Sequence, residues 1–306
     1  MPKPKEEPSA SKCFKKGELL TDRIQSLESA LYFVATPIGA AKDITLRSLD
    51  ILAGADVLAA EDTRNTRRLL DIHGVDLAGR HLIPYHDHNG PAQRPKLIAA
   101  LKAGKSVAYV SDAGTPLIAD PGYSLARAVI DEGLKVLAAP GASAVLAALA
   151  VAGLPTDRFF FAGFLPPKTG ARLKELSGLA AVPGTLVFYE SPKRISKSLI
   201  DMVQGLGGDR QAAVCRELTK KFEEVRRGTL DELAKIYEDE KPRGEIVVVV
   251  GPAPTREVDP DAVGNALKLA LSEQSSLRDA VDQVTVLLRL PRKQVYQLAL
   301  EMERNK

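Results

Sequence analysis

From Ala30 onward the chain alternates two hydrophobic patterns. Short runs of apolar, often β-branched residues predict buried strands, and longer stretches with apolar positions at helical spacing predict amphipathic helices. "ALYFVATP" (30–37) reads as a strand and "ITLRSLDILAGA" (44–55) as a helix. "DVLAAED" (56–62) is the next strand, followed by the helix "TRNTRRLLDIHG" (63–74), which Gly74 ends. "AQRPKLIAALKAG" (92–104) predicts a helix, "SVAYVSD" (106–112) a strand, "SLARAVIDEG" (124–133) a helix and "KVLAAPG" (135–141) a strand. This βαβα order predicts a mostly parallel α/β sheet.

A second series starts at residue 142. Helices are predicted in "ASAVLAALAVAGL", "TGARLKELSGLA", "RISKSLIDMVQGLG" and "TLDELAKIYEDE". Strands are predicted in "RFFFAGFLP" (158–166), "GTLVFYES" (184–191), "QAAVCREL" (211–218) and "GEIVVVVGP" (244–252). The Pro-rich stretch "PAPTREVDP" (252–260) reads as a linker. Two short helical patterns after it, "SLRDAVDQVTVLL" and "RKQVYQLALEM", are joined by "RLP" as in a helix-turn-helix. The expected organisation is a solvated tail over 1–28, α/β domains over 29–141 and 142–252, and a helical unit over 260–306.

Composition narrows the class only slightly. The 306 residues are 45% hydrophobic and 26% charged, as in an ordinary globular protein, and the net charge of +3 is too small to argue for nucleic acid by itself. Cys13 and Cys215 cannot build a disulfide framework, which fits a reducing cytoplasm. No apolar run has the ~20 residues of a membrane span, and the first residues lack the apolar segment of a secretory signal.

Several familiar fragments fail on inspection. "AGKS" (103–106) would need a glycine where Ala99 stands, and Lys105 leads into a strand rather than a helix. "GLGG" (205–208) has Arg210 in place of its third glycine. "GASAV" (141–145) has the position of a nucleophile elbow, but Val145 replaces the closing glycine. His86, Asp87 and His88 in "HLIPYHDH" lack a third metal-ligand pattern, so cleft lining is the expected role and no metal is assigned.

What remains is a set of strand ends rich in Gly, Pro and small polar residues. They are "VATPIGAAKDI", "AAEDTR", "SDAGTPLIADPG", "APGASA", "FYESPKRI" and "CRELTKKFEE". Ligands of α/β sheets lie at the carboxyl ends of strands. The turn 111–122 is far longer than a strand-to-helix link needs. Each stretch alone could be a tight turn; six of them favour a cleft between two domains.

The segments "LYFVATPIGAAKDITLRSLDILAGADVLAAEDTRNTRRLL", "VSDAGTPLIADPGYSL", "YESPKRI" and "CRELTKKFEEVRRG", with the closing helix-turn-helix, resemble the ribosomal RNA small-subunit methyltransferase I family. The likeness runs from Leu31 to Met302. It implies two tetrapyrrole-methylase-type α/β domains, S-adenosylmethionine (SAM) in the cleft between them, and a homodimer. It further implies transfer of a methyl group to the ribose 2′-hydroxyl of a cytidine in the decoding region of 16S ribosomal RNA. By the same resemblance Pro37, Gly39, Asp112, Gly114, Thr115, Pro116 and Leu117 face the cofactor from the first domain. Ala142, Ser143, Tyr189, Leu218, Gly244 and Glu245 face it from the second. The chain departs from the family pattern at Gly90, where an acidic residue usually follows "HDHN".

A ribose hydroxyl is a weak nucleophile, so a general base is expected. Strand ends offer Glu61, Asp62, Asp112, Glu190 and Glu217. Glu61 or Asp62 could instead cap the helix from Thr63, and Asp112 could brace its turn. Glu190 and Glu61 are the leading candidates, with His88 beside them. Phosphate contacts are expected from Arg64, Arg67 and Arg68, and from Lys193, Arg194, Arg216, Lys220 and Lys221. Residues 193–227 hold nine basic and five acidic side chains. Few aromatics interleave with them, so base stacking is expected to be minor. Two other readings stand: a tetrapyrrole-precursor methyltransferase of the same fold, and a SAM-binding ribosome-assembly factor without catalysis.

Overall fold

The computed structural model describes residues 26–86, 88–118, 122–253, 260–273, 276–288 and 292–304. They form two compact units that divide between Ala253 and Pro254. Cys13, Asp87, Asp120 and Pro121, the linker core 254–259 and the "RLP" turn lie outside the described residues.

The first unit holds two sheets. In the first, β1 (Leu31–Val34), β2 (Val57–Ala60), β3 (Leu82–Pro84), β4 (Val107–Val110) and β5 (Val136–Ala139) lie parallel in the order β3-β2-β4-β1-β5. Its helices are α1 (Leu46–Gly54), α2 (Thr63–Ile72), α3 (Gly90–Lys102) and α4 (Tyr123–Asp131). Alternate strand residues separate two cores. Tyr32, Val34, Leu58 and Val110 pack with Leu49, Leu52 and Leu70 on one face. Leu31, Phe33, Val107 and Tyr109 pack with Leu97, Leu125 and Val129 on the other. A parallel sheet covered on both faces explains why these strands read as unbroken apolar runs. The edge strand β3 ends in Pro84, which only an edge tolerates, and it had no strand signal in the sequence. The predicted tail reaches into this fold: Leu27 packs on the first core and Glu28 pairs with Lys135 at 2.5 Å.

The second sheet contains β6 (Phe159–Phe164), β7 (Thr185–Glu190), β8 (Gln211–Arg216), β9 (Glu224–Thr229) and β10 (Ile246–Val250) in the order β6-β7-β10-β8-β9. Here only β6 and β7 run parallel; β10 is antiparallel to both its neighbours, and β8 and β9 form a hairpin. Strand β9 is absent from the sequence reading because "EVRRGT" carries its charges onto an exposed edge. Helices α6 (Thr169–Leu179), α7 (Ile195–Leu206) and α8 (Leu230–Asp239) cover one face, with Phe188, Val214 and Val248 in the core. Helix α5 (Ala144–Ala152) covers the other, and there Ile38 from the loop after β1 joins Val187, Cys215 and Val247 in one core.

The second unit has three helices where the sequence pattern gave two: α9 (Pro260–Glu273), α10 (Leu277–Leu288) and α11 (Arg292–Arg304). Val263, Leu267 and Ala270 of α9 complete the core formed by Val281, Val284, Val295 and Ala299. Two helices cannot bury both their apolar stripes, so the two helices expected from the sequence pack with α9 as a three-helix bundle.

Candidate active site

In the first sheet, β2 connects outward to the edge strand β3, whereas its neighbour β4 connects across the sheet to β5. Divergence of adjacent connections opens a crevice at the strands' carboxyl ends. Glu61 and Asp112 stand on either side of it. The Asp112 N–H donates to Glu61 Oε2 at 3.2 Å, and the Asp62 N–H donates to Asp112 Oδ1 at 3.1 Å. Asp62, not Glu61, caps α2: it accepts from the Arg64 N–H at 2.8 Å, and the Arg64 side chain holds its carboxyl down to about 2.

The loop after β4 is shaped by backbone conformation. Gly114 adopts φ +79°, and exchanges hydrogen bonds with Thr36 of the β1 loop at 2.9 and 3.0 Å. Thr115 Oγ1 donates to the Ala142 carbonyl at 3.0 Å, which ties this loop to the start of α5. Leu117 has φ +74°, a left-handed conformation that costs a branched residue ~1–3 kcal/mol and is concentrated at functional sites.

These loops and the second sheet enclose a cleft of about 380 Å³. Its apolar walls come from Ile38, Ile118, Phe164, Tyr189 and Val247, and its carboxylates are Glu61, Asp112, Glu190 and Glu245. Gly114, Thr115, Ser143 and Gly244 also line it. Pro37, Gly39, Pro116, Leu117, Ala142 and Leu218, expected at the cofactor, are not among the lining residues. Leu218 is buried in the core beneath α5, and Gly39 meets the loop between β8 and β9. Ser143 is the N-cap residue of α5 and makes no side-chain cap, and it lines the cleft with Ala144, the first residue of the helix.

Glu190 is buried at the end of β7 and fully engaged. Oε1 accepts from the Ser191 N–H at 2.8 Å and lies 3.3 Å from Arg194 Nε, and Oε2 accepts from Ser198 Oγ. Tyr189 beside it has its phenol pushed up by burial, with Glu245 adding to the effect. His88 is exposed in the turn after β3, with its ring 6.0 Å from that of His86, and does not line the cleft. Among the described residues no cluster of three or more His, Cys, Asp or Glu side chains is arranged for a metal ion.

A clamp closes one end of the cleft. Lys220 Nζ donates to Glu217 Oε1 at 2.9 Å and to Glu245 Oε2 at 3.0 Å, while Glu217 Oε1 also accepts from the Glu245 N–H at 2.9 Å. The Ala40 N–H donates to Thr219 Oγ1 at 3.0 Å, so the same loop holds the first-sheet side. A side chain at Gly39 would stand 2.9 Å from the Leu218 carbonyl, which only glycine avoids. Burial would raise the Glu217 carboxyl, but the Glu245 amide and Lys220 outweigh it and hold it low. Burial would likewise lower Lys220, yet its two carboxylates raise it. A depressed acid contributes stability above its unfolded value and loses it as pH falls; a raised base contributes below its unfolded value and loses it as pH rises. The clamp is therefore intact between the ordinary values of 4.5 and 10.5.

The expected phosphate ligands divide sharply. Arg64 grips Asp62, Arg194 donates to the Leu165 carbonyl at 2.6 Å, Arg216 donates to Glu224 at 3.1 Å, and Lys220 belongs to the clamp. Arg67, Arg68, Lys193 and Lys221 are not ion-paired among the described residues, and Lys221 lies over the Phe222 ring.

Two α/β sheets meeting over a cleft at their loop ends are the architecture of the tetrapyrrole methylase class. The family model described as Tetrapyrrole (Corrin/Porphyrin) Methylases matches residues 30–234. Cobalt precorrin-4 methyltransferase superposes with a TM-score of 0.56 at 20% identity, over 73% of this chain and 95% of that one. Uroporphyrin-III C-methyltransferase from Thermus thermophilus, complexed with S-adenyl homocysteine, gives 0.50 at 21% identity, over 72% and 97%. Within that class the chain belongs to the ribosomal RNA small subunit methyltransferase I family. The member from Mesorhizobium japonicum is 51% identical over 278 residues, covering 90% of this chain and 93% of the relative. Those from Escherichia coli O157:H7 and Bacillus subtilis are 41% and 38% identical, covering 90% and 87% of this chain and 96% and 92% of theirs.

Proposed function

We propose that the chain is a SAM-dependent methyltransferase acting on the ribose 2′-hydroxyl of a cytidine in the decoding region of 16S ribosomal RNA. Family membership along nearly the whole chain, joined to a cleft with the chemistry of the cofactor, carries this reading. The cleft suits SAM in three respects. Its volume lies in the range of small-molecule sites, ~300–1,000 Å³. Its apolar walls suit an adenine ring, and four carboxylates complement a sulfonium. The α5 N-terminus favours a carboxylate. Gly114, Thr115, Ser143, Tyr189, Gly244 and Glu245 would hold the group, which supplies an electrophilic methyl when bound.

The protein's contribution is positioning, exclusion of water and one proton transfer. Ile38, Ile118 and Phe164 keep water from the reacting atoms. Glu190 is held by Ser191, Ser198 and Arg194, and Glu245 by Lys220. Glu61 lies on the cleft wall at the end of β2, and it is the residue that accepts the hydroxyl proton. Glu190 holds the turn after β7, and Tyr189 stays protonated as a wall. The domains are divided at 141/142, with 16S rRNA or the small subunit as partner. A cytoplasmic location accords with that partner, and no described helix is long and apolar enough to cross a membrane. A homodimer is supported by the exposed edge of β6, where Phe159 and Phe160 are each 45% accessible.

Titration calorimetry of SAM into the full chain tests the cleft. Lys220→Met removes the charge between Glu217 and Glu245 and is expected to weaken binding by ~10-fold, since a hydrogen bond to a charged group contributes ~1.5–3 kcal/mol. Unchanged affinity would show that the clamp does not shape the site. Wild-type affinity is expected to hold down to the ordinary carboxylate value of 4.5 and to fall only on further acidification, because Glu217 is held low and protonates there.

A further inference from the structure

A second groove opens beside the cleft, and the two share Pro192 and Gly244 at their common rim. Lys193 and Lys197 line it from the start of α7, and Lys241 and Arg243 from the connection between α8 and β10. Its acids are Glu238 and Glu240. Glu240 already accepts from Arg226 Nη1 at 2.6 Å, which leaves Glu238 to oppose four cations. All four cations are exposed, and none is ion-paired among the described residues. This separates them from Arg194, Arg216 and Lys220, which have fixed partners inside the fold. No bulky apolar side chain lines the groove, so its occupant is a hydrophilic polyanion.

We propose that this groove holds the phosphodiester backbone of the RNA strand flanking the nucleotide whose ribose enters the cleft; the inference rests on the function proposed above. Lys241 and Arg243 are thereby new phosphate ligands, with Lys193 and Lys197, and Arg194, Arg216 and Lys220 are structural. Cations on two facing elements at the rim of the cleft provide a track rather than a point.

The test compares the Lys197→Gln/Lys241→Gln/Arg243→Gln variant with a charge control, Lys96→Gln/Lys105→Gln, in the full chain. Readouts are SAM affinity, KM for isolated small ribosomal subunits, and the salt dependence of binding to 16S rRNA. Each lost phosphate contact reduces the slope of log affinity against log salt by ~0.7 for single strands, so the triple variant should lose about 2. Its KM is expected to rise at least ~10-fold, with SAM affinity at the wild-type level. A slope and KM matching the control would overturn the groove alone. Absence of methyl transfer to any RNA by the wild-type chain would overturn the proposed function, and the groove with it. If the triple variant fails to bind SAM, the single variants Lys197→Gln and Arg243→Gln serve instead, each expected to lose about 0.7 of slope.

Discussion

Glu61→Gln lowers kcat for methyl transfer by about 10²–10⁴-fold and leaves SAM affinity within about twofold of wild type. The amide keeps the shape and can still meet the Asp112 N–H through its carbonyl, so the junction between β2 and β4 survives. What it loses is the capacity to take a proton. Glu190→Gln gives a different pattern. The buried carboxylate there accepts from Ser198 and Ser191 beside Arg194, so its loss disturbs the turn after β7 and weakens SAM binding together with turnover. A kcat defect in Glu190→Gln with SAM affinity preserved, alongside a fully active Glu61→Gln, would exchange the two roles.

Asp201→Ala destabilises the second sheet by about 3–5 kcal/mol. Arg172 and Asp201 are both buried, and the guanidinium reaches Asp201 Oδ2 through Nε at 2.6 Å and Nη2 at 2.5 Å. Arg172 also donates to the carbonyls of Pro166 and Pro167, at 3.1 and 3.2 Å, so it fixes the chain that follows Phe164 of the cleft. Removing the acid strands a buried cation, which is the costly half of breaking such a pair. Replacing both residues, as Arg172→Met with Asp201→Leu, recovers most of the loss because no uncompensated charge remains. Hydrogen exchange of the β7 and β10 amides reads both effects. Equal protection in wild type and Asp201→Ala would show that the pair adds nothing.

The parallel sheet was legible because its central strands β1, β2 and β4 are buried on both faces and read as apolar runs, whereas the edge strand β3 is only partly buried and gave no signal. Glu61, Asp112, Gly114, Thr115, Tyr189, Glu190, Gly244 and Glu245 were legible as residues at strand ends, and the fold brings all eight to one cleft. Less was visible where contacts are long-range. Nothing in "TGARLKELSGLA" marks Arg172 as buried, because its partner lies 29 residues away. The basic run 193–227 looked uniform, yet six of its nine cations, Arg194, Arg210, Arg216, Lys220, Arg226 and Arg227, bond to carboxylates or carbonyls that only the tertiary structure supplies. Lys241 and Arg243 lie outside that run, and only the return of β10 beside β7 places them near Lys193. Strand β9 and helix α9 escaped because an edge strand can carry charge and a bundle helix can be short of strong signals.

The central claim is tested most directly by transfer of tritium from methyl-labelled SAM, with small ribosomal subunits, free 16S rRNA and a tetrapyrrole precursor as separate acceptors. Label in 16S rRNA, recovered after nuclease digestion as a 2′-O-methylcytidine, is the expected result. Label in the tetrapyrrole alone, or SAM binding with transfer to none of the three, would contradict it.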